Sequence, residues 1–171
     1  MYQPWKMRAL PDPRETPRAD VNRHLREIVA AEGPVHVNRA YQIYARACGI
    51  NCVGRMMRSK LNSALYSLVR RKDVLLEREG PDDSQINAIA RPNGAPQVIV
   101  RSAGPRTFWD IPPSELATVM REEGKASPGS DAEEIYRRVL LRYEVGRLTS
   151  GIRSELVRID RMLPEDLFRS L

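Results

Sequence analysis

A mainly α fold with a small β hairpin, its first unit duplicated as a second and more helical copy, is what this 171-residue sequence predicts. Three observations predict it. Apolar residues recur at helical spacing in three short runs; a β-type run with turn chemistry follows the third; and the helical stripes return about 95 residues further on.

Residues 1–19 carry Pro4, Pro11, Pro13 and Pro17 with little periodicity, and read as an extended arm or strap. Asp20 then has the character of an N-cap. Val21, Leu25, Ile28 and Val29 form the stripe of a first helix, which Gly33-Pro34 ends. Pro34–Val37 is a short extended link, and Asn38 can cap a second helix. Its stripe is Tyr41, Tyr44, Ala45 and Cys48, with Gly49 as its stop. After a turn at 50–54, a third helix runs to about Arg71. Met57, Leu61, Ala64 and Leu68 form its inner face, with Leu65 at the margin. Val74–Glu77 is strand-like, Gly80-Pro81-Asp82-Asp83 supplies a turn, and Ile86–Ala90 returns as a second strand. Residues 92–97 are loop-like, and Val98-Ile99-Val100 adds a third strand. Helix, helix-turn-helix and hairpin in this order make residues 20–101 a winged-helix-like unit.

A shift of 95 residues places Val21 on Leu116, Leu25 on Met120, Tyr41 on Tyr136, Met57 on Ile152, Arg58 on Arg153 and Leu61 on Leu156. The organisation expected is therefore an arm at 1–19, the winged unit at 20–101, a linker at 102–112, a second helix-turn-helix-like unit at 113–163 and a tail at 164–171. Two copies point to duplication of a supersecondary unit rather than to a solenoid.

Charge is what gives the first unit a function. The net charge is +6, but residues 1–72 hold 14 Lys/Arg against 5 Asp/Glu, and the remainder is acidic on balance. Between Glu32 and Asp73 there is no acidic residue, while Arg39, Arg46, Arg55, Arg58, Lys60, Arg70, Arg71 and Lys72 all fall there. Ordinary solvated surfaces mix their signs, so a window of this kind is the footprint of a phosphate-binding face. With the third helix turned on its apolar stripe, Arg55, Ser59, Asn62 and Tyr66 share the outer face and Arg58 and Ser63 flank it. Arg can read guanine, Asn can read adenine, and hydroxyls can hold phosphates. Lys60, Arg70, Arg71 and Lys72 add backbone contacts. The corresponding set in the second copy, Ser150, Arg153, Ser154, Val157 and Arg161, lies near Glu133, Glu134 and Glu155 and is a poorer nucleic-acid surface. That copy is suited to bracing the first or docking a protein.

Other chemistry finds little footing. His24, His36, Cys48 and Cys52 match no compact zinc spacing, and the two cysteines read as reduced thiols. Gly124-Lys125-Ala126-Ser127 lacks the upstream Gly of a phosphate loop. Pro81-Asp82 with Glu123-Gly124-Lys125 only superficially matches a nuclease pattern, because Glu123 ends a helical run and Gly124 looks like its C-cap. No nucleophile stands beside a base, so no enzyme, metal or cofactor is expected. Nor does any apolar run suit a membrane span or a signal peptide, making the cytoplasm the expected compartment.

Glu32-Gly33-Pro34-Val35-His36, a helix, and then Gly49-Ile50 with Val53-Gly54-Arg55-Met56-Met57-Arg58 resemble an uncharacterised domain found near the C-terminus of large bacterial proteins. Those proteins join a superfamily I helicase core to an endonuclease-like segment. Ile111-Pro112-Pro113-Ser114-Glu115-Leu116 resembles the phrase that opens the family's second unit, and the likeness spans about residues 18–163. The second block, Thr149–Arg153, is degenerate. The family's Arg before the Gly is Cys52 or Val53 here, and its Arg before Ile is Met56, so some of the family's basic contacts are absent. The resemblance implies a winged-helix-like accessory module acting on DNA beside a helicase or nuclease, in repair or defence against foreign DNA. The alternative is a docking module for such a partner with little DNA contact, and a weaker one is a transcription regulator.

Overall fold

The computed structural model describes residues 2–79 and 84–162. The chain divides into two compact units, residues 3–97 and residues 98–171 with residues 1–2.

In the N-terminal unit, α1 (Arg18–Glu32) is followed by β1 (Val35–His36), α2 (Val37–Ala47), α3 (Arg55–Arg70), β2 (Val74–Glu77) and β3 (Ile89–Pro92). Helix α1 begins three residues earlier than the sequence suggests. The carbonyl of Pro17 accepts the Asp20 and Val21 N–H groups at 3.0 and 3.2 Å, so Pro17 occupies the cap. Asp20 lies instead in the first turn, where a carboxylate favours the helix dipole. Asn38 is likewise inside α2, whose cap is His36. Val21, Leu25, Ile28 and Val29 all face the core, together with Tyr41, Tyr44, Met57, Leu61, Ala64 and Leu68. Leu65, expected at the margin, is fully buried.

Helix α2 stops as its glycine predicts. Gly49 has φ +73, its N–H bonds the Arg46 carbonyl, and the Ile50 N–H reaches back to Ala45 at 2.9 Å. This pair of bonds satisfies carbonyls that a helix end otherwise leaves open.

The sheet departs from expectation. It has three antiparallel strands in the order β1-β3-β2, with Val35 opposite Ala90, Val74 opposite Pro92 and Leu76 opposite Ala90. The presumed link at 34–37 therefore supplies the third strand, and Val98–Val100 is not one. Strand β3 also starts late. Residues 85–87 form a 3-10 turn in which the Asn87 and Ala88 N–H groups bond back to Ser84 and Gln85. The expected turn at 80–83 lies outside the described residues. Residues 3–17 strap the helices: the Leu10 N–H bonds Ala47 O at 2.9 Å, and the Trp5 N–H bonds the buried Glu32 carboxylate at 2.7 Å.

The C-terminal unit contains α4 (Pro113–Ala126), α5 (Ala132–Arg142) and α6 (Ser150–Met162), with no strand among its described residues. Each of these helices starts 95 residues after α1, α2 and α3 respectively. The end of α5 matches that of α2 as well. Glu144 has φ +57 at the position corresponding to Gly49, and the Val145 N–H bonds Leu140 O at 2.9 Å. Helix α4 continues through Gly124 to Ala126, so Gly124 is not a C-cap; the Ser127 N–H closes the helix on Glu123 O. Val157, expected to be exposed, is half-buried against the unit's core.

Beneath α4 lies a buried ionic centre. Glu115 is 1% exposed and receives both terminal nitrogens of Arg106 at 2.8 and 2.9 Å. The Arg101 backbone N–H at 3.0 Å and the Tyr143 hydroxyl at 3.2 Å also donate to it, and the Arg101 guanidinium lies 3.5 Å away. The Tyr2 ring stacks under Arg106 at 4.7 Å. No helix among the described residues is long and apolar enough to cross a membrane.

Candidate nucleic-acid interface

Helix α3 owes its orientation to its own sequence. Gly54 stands at its N-cap, and the Arg58 N–H opens the ladder on Gly54 O at 2.9 Å. Met57, Leu61, Ala64, Leu65 and Leu68 are turned into the core, which drives the polar positions outward. Arg55, Arg58, Ser59, Lys60, Tyr66, Arg70, Arg71 and Lys72 are all exposed.

Asn62 is the exception. It is half-buried, and its Oδ1 accepts the hydroxyl of the fully buried Tyr41 at 2.8 Å. That bond anchors Asn62 to the core and engages the oxygen that a two-point contact with adenine would use. Burial also pushes the Tyr41 phenol above its ordinary range, so it remains a donor.

Two shallow grooves run along this helix. Val53, Arg55, Arg58, Ser59 and Asn62 line one of about 490 Å³. Arg18, Asn22, Tyr66, Ser67, Arg70 and Arg71 line another of about 470 Å³ between α1 and α3. Lys60 faces a third, smaller one with Ser63 and Arg18. Arg18 thus joins the surface, and its guanidinium donates to Ser63 O at 3.1 Å. Sequence reasoning missed it by assigning residues 1–19 to an arm; Pro17, a residue suited to a helix start, was the available signal.

The cations on and just after α3 differ from others of their own unit, where Arg8, Arg14, Arg23 and Arg91 meet carboxylates. Among the described residues, Arg55, Arg58, Lys60, Arg70, Arg71 and Lys72 form no ion pair. Arg39, by contrast, is buried against Glu32 at 3.4 Å and contributes nothing to the surface. In the C-terminal unit Arg137, Arg138, Arg142, Arg153 and Arg158 all meet carboxylates. Arg153, which corresponds to Arg58, is held by Glu133 at 2.5 Å. Lys72 follows α3 with φ +60, a conformation an L-residue adopts at a cost of about 1–2 kcal/mol.

Neither thiol nor imidazole gathers for a metal. Cys48 donates to Pro11 O at 3.3 Å, and burial pushes its thiol up to about 11. No group of three or more possible ligands occurs among the described residues.

No curated protein and no solved structure matches the chain. Residues 12–59, which run from the strap through α1, β1 and α2 into the first turn of α3, match the model of a family described as protein of unknown function (DUF3320).

Proposed function

We propose that the chain is a nucleic-acid-binding module, with duplex DNA as its ligand and the exposed face of α3 as its reader. One observation carries the reading: six cations that form no ion pair among the described residues stand on or just after a single helix, on a stretch with no acidic residue. Side chains left without carboxylates retain their full field for phosphates, whereas paired ones are already neutralised.

The order helix, strand, helix, helix, strand, strand with a β1-β3-β2 sheet supports a winged-helix unit. The constant offset of 95 between helix starts supports duplication, with the sheet absent from the described second copy. Arg55 and Arg58 at the start of α3 are expected in or along the groove, where each can approach a base edge while neutralising an adjoining phosphate. Lys60, Arg70, Arg71 and Lys72 are expected on the backbone. An accessory role beside a helicase or nuclease, in repair or defence, is implied by the sequence resemblance alone; the family model matched over residues 12–59 carries no described function.

Fluorescence anisotropy with a labelled duplex tests this. Arg55→Ala with Arg58→Ala is expected to weaken binding by at least tenfold, on the order of one to two lost phosphate contacts. Arg153→Ala is expected to change it little. Undetectable binding of the unmodified chain overturns the reading.

A protein-docking role is favoured for the C-terminal unit by the pairing of Arg137, Arg138, Arg142, Arg153 and Arg158 with carboxylates and by two large exposed apolar side chains, Trp109 and Leu141. Retention of a helicase or nuclease partner after charge reversal at Arg55 and Arg58 tests that role.

A further inference from the structure

The groove between α1 and the C-terminal half of α3 does not resemble a surface made only for a duplex backbone. Its walls carry three guanidinium groups, Arg18, Arg70 and Arg71, and among the described residues none of them meets a carboxylate. Between them stands Tyr66, an aromatic ring 64% exposed to solvent. At about 470 Å³ the groove is within the range that takes a small ligand. Asn22, only 4% exposed, lines it as well. Its Nδ2 donates to Ser67 Oγ at 3.2 Å, but its Oδ1 has no hydrogen-bond partner.

We propose that this groove takes an unpaired nucleotide, its base stacked on Tyr66 and its flanking phosphates held by Arg18, Arg70 and Arg71. The inference rests on the duplex reading above and sharpens its ligand to a duplex carrying a single-stranded extension. A paired base keeps its faces inside the stack, so only an unpaired one can use an exposed tyrosine in this way. The two grooves then divide the work: the Arg55/Arg58 end of α3 faces the duplex, and the Tyr66 end faces the strand that leaves it.

The test compares a blunt duplex of about 16 base pairs with the same duplex bearing a single-stranded tail of about six nucleotides, a length within the usual single-strand site sizes. The tailed duplex is expected to bind at least about fivefold more tightly, the gain of one stacked base. Tyr66→Ala is expected to bring that ratio close to one, and Tyr66→Trp to preserve it. Because Tyr66 is exposed, these variants should keep the fold, which circular dichroism checks. Salt-sensitive duplex binding with a ratio near one, or a ratio that Tyr66→Ala leaves intact, overturns this inference alone. Absence of binding to either duplex overturns it together with the duplex reading.

Discussion

Replacing Glu115 with alanine should loosen the C-terminal unit while leaving the α3 surface intact. The carboxylate holds both Arg106 nitrogens, the Arg101 N–H and the Tyr143 hydroxyl, all within 3.2 Å. The Arg106 side chain is itself 1% exposed, so its charge has no access to water once the partner is gone. Breaking a buried pair in this way costs about 3–5 kcal/mol, most of it from the stranded charge. Against a total stability of about 5–15 kcal/mol, that is a large fraction. A control is provided by Glu134→Ala, which removes a surface pair with Arg138 and should cost less than about 1 kcal/mol. Urea unfolding of both variants, followed by circular dichroism and by duplex affinity under folding conditions, measures the two effects together. A Glu115→Ala cost no larger than that of Glu134→Ala would refute the assignment of this centre as the unit's anchor. A large drop in duplex affinity without loss of fold would refute the placement of the interface on the other unit.

Two further outcomes follow from local geometry. His24 is buried beside the Tyr44 ring, and burial, reinforced by Arg23 and Arg8, holds its imidazole below the ordinary value of about 6.5. The unfolded chain therefore binds the proton more readily, so this contribution is intact above pH of about 6.5 and is lost as pH falls toward the folded-state value. The urea midpoint should drop between about pH 7 and 5 more for the unmodified chain than for His24→Gln; equal slopes contradict the argument. Lys72→Gly should relieve the left-handed backbone and raise stability by up to about 1 kcal/mol, while removing a cation and weakening duplex binding; a loss of stability contradicts the first half.

The helices were legible because each carries its own period. Met57, Leu61, Ala64 and Leu68 announce the inner face of α3, and Gly49 announces the end of α2. The sheet was less so. Val35 and His36 form a two-residue strand, too short for any alternation, and only pairing with Ile89 and Ala90 defines it. Val98–Val100 has strand composition but no partner strand among the described residues, and composition alone cannot supply one. Of the candidate surface, exposure followed from the wheel, but partnership did not. Nothing in the sequence separates Arg39, buried on Glu32, from Arg58, which meets no carboxylate among the described residues. Nor does it foretell that Asn62 is tied to Tyr41, a contact between residues 21 apart.

The central claim, that α3 presents phosphate-binding cations, is tested most directly by the salt dependence of duplex binding. Each neutralised duplex phosphate contributes a slope of about −0.9 to log affinity against log salt, so Arg55, Arg58, Lys60 and Lys72 predict a slope of about −3.6 on a blunt duplex. The slope approaches about −5 when a single-stranded tail also engages Arg70 and Arg71. Arg55→Ala with Arg58→Ala should shrink its magnitude by about 1.8, and Arg153→Ala should leave it unchanged. A slope near zero, or one that depends on Arg153 and not on Arg55 and Arg58, would contradict the account.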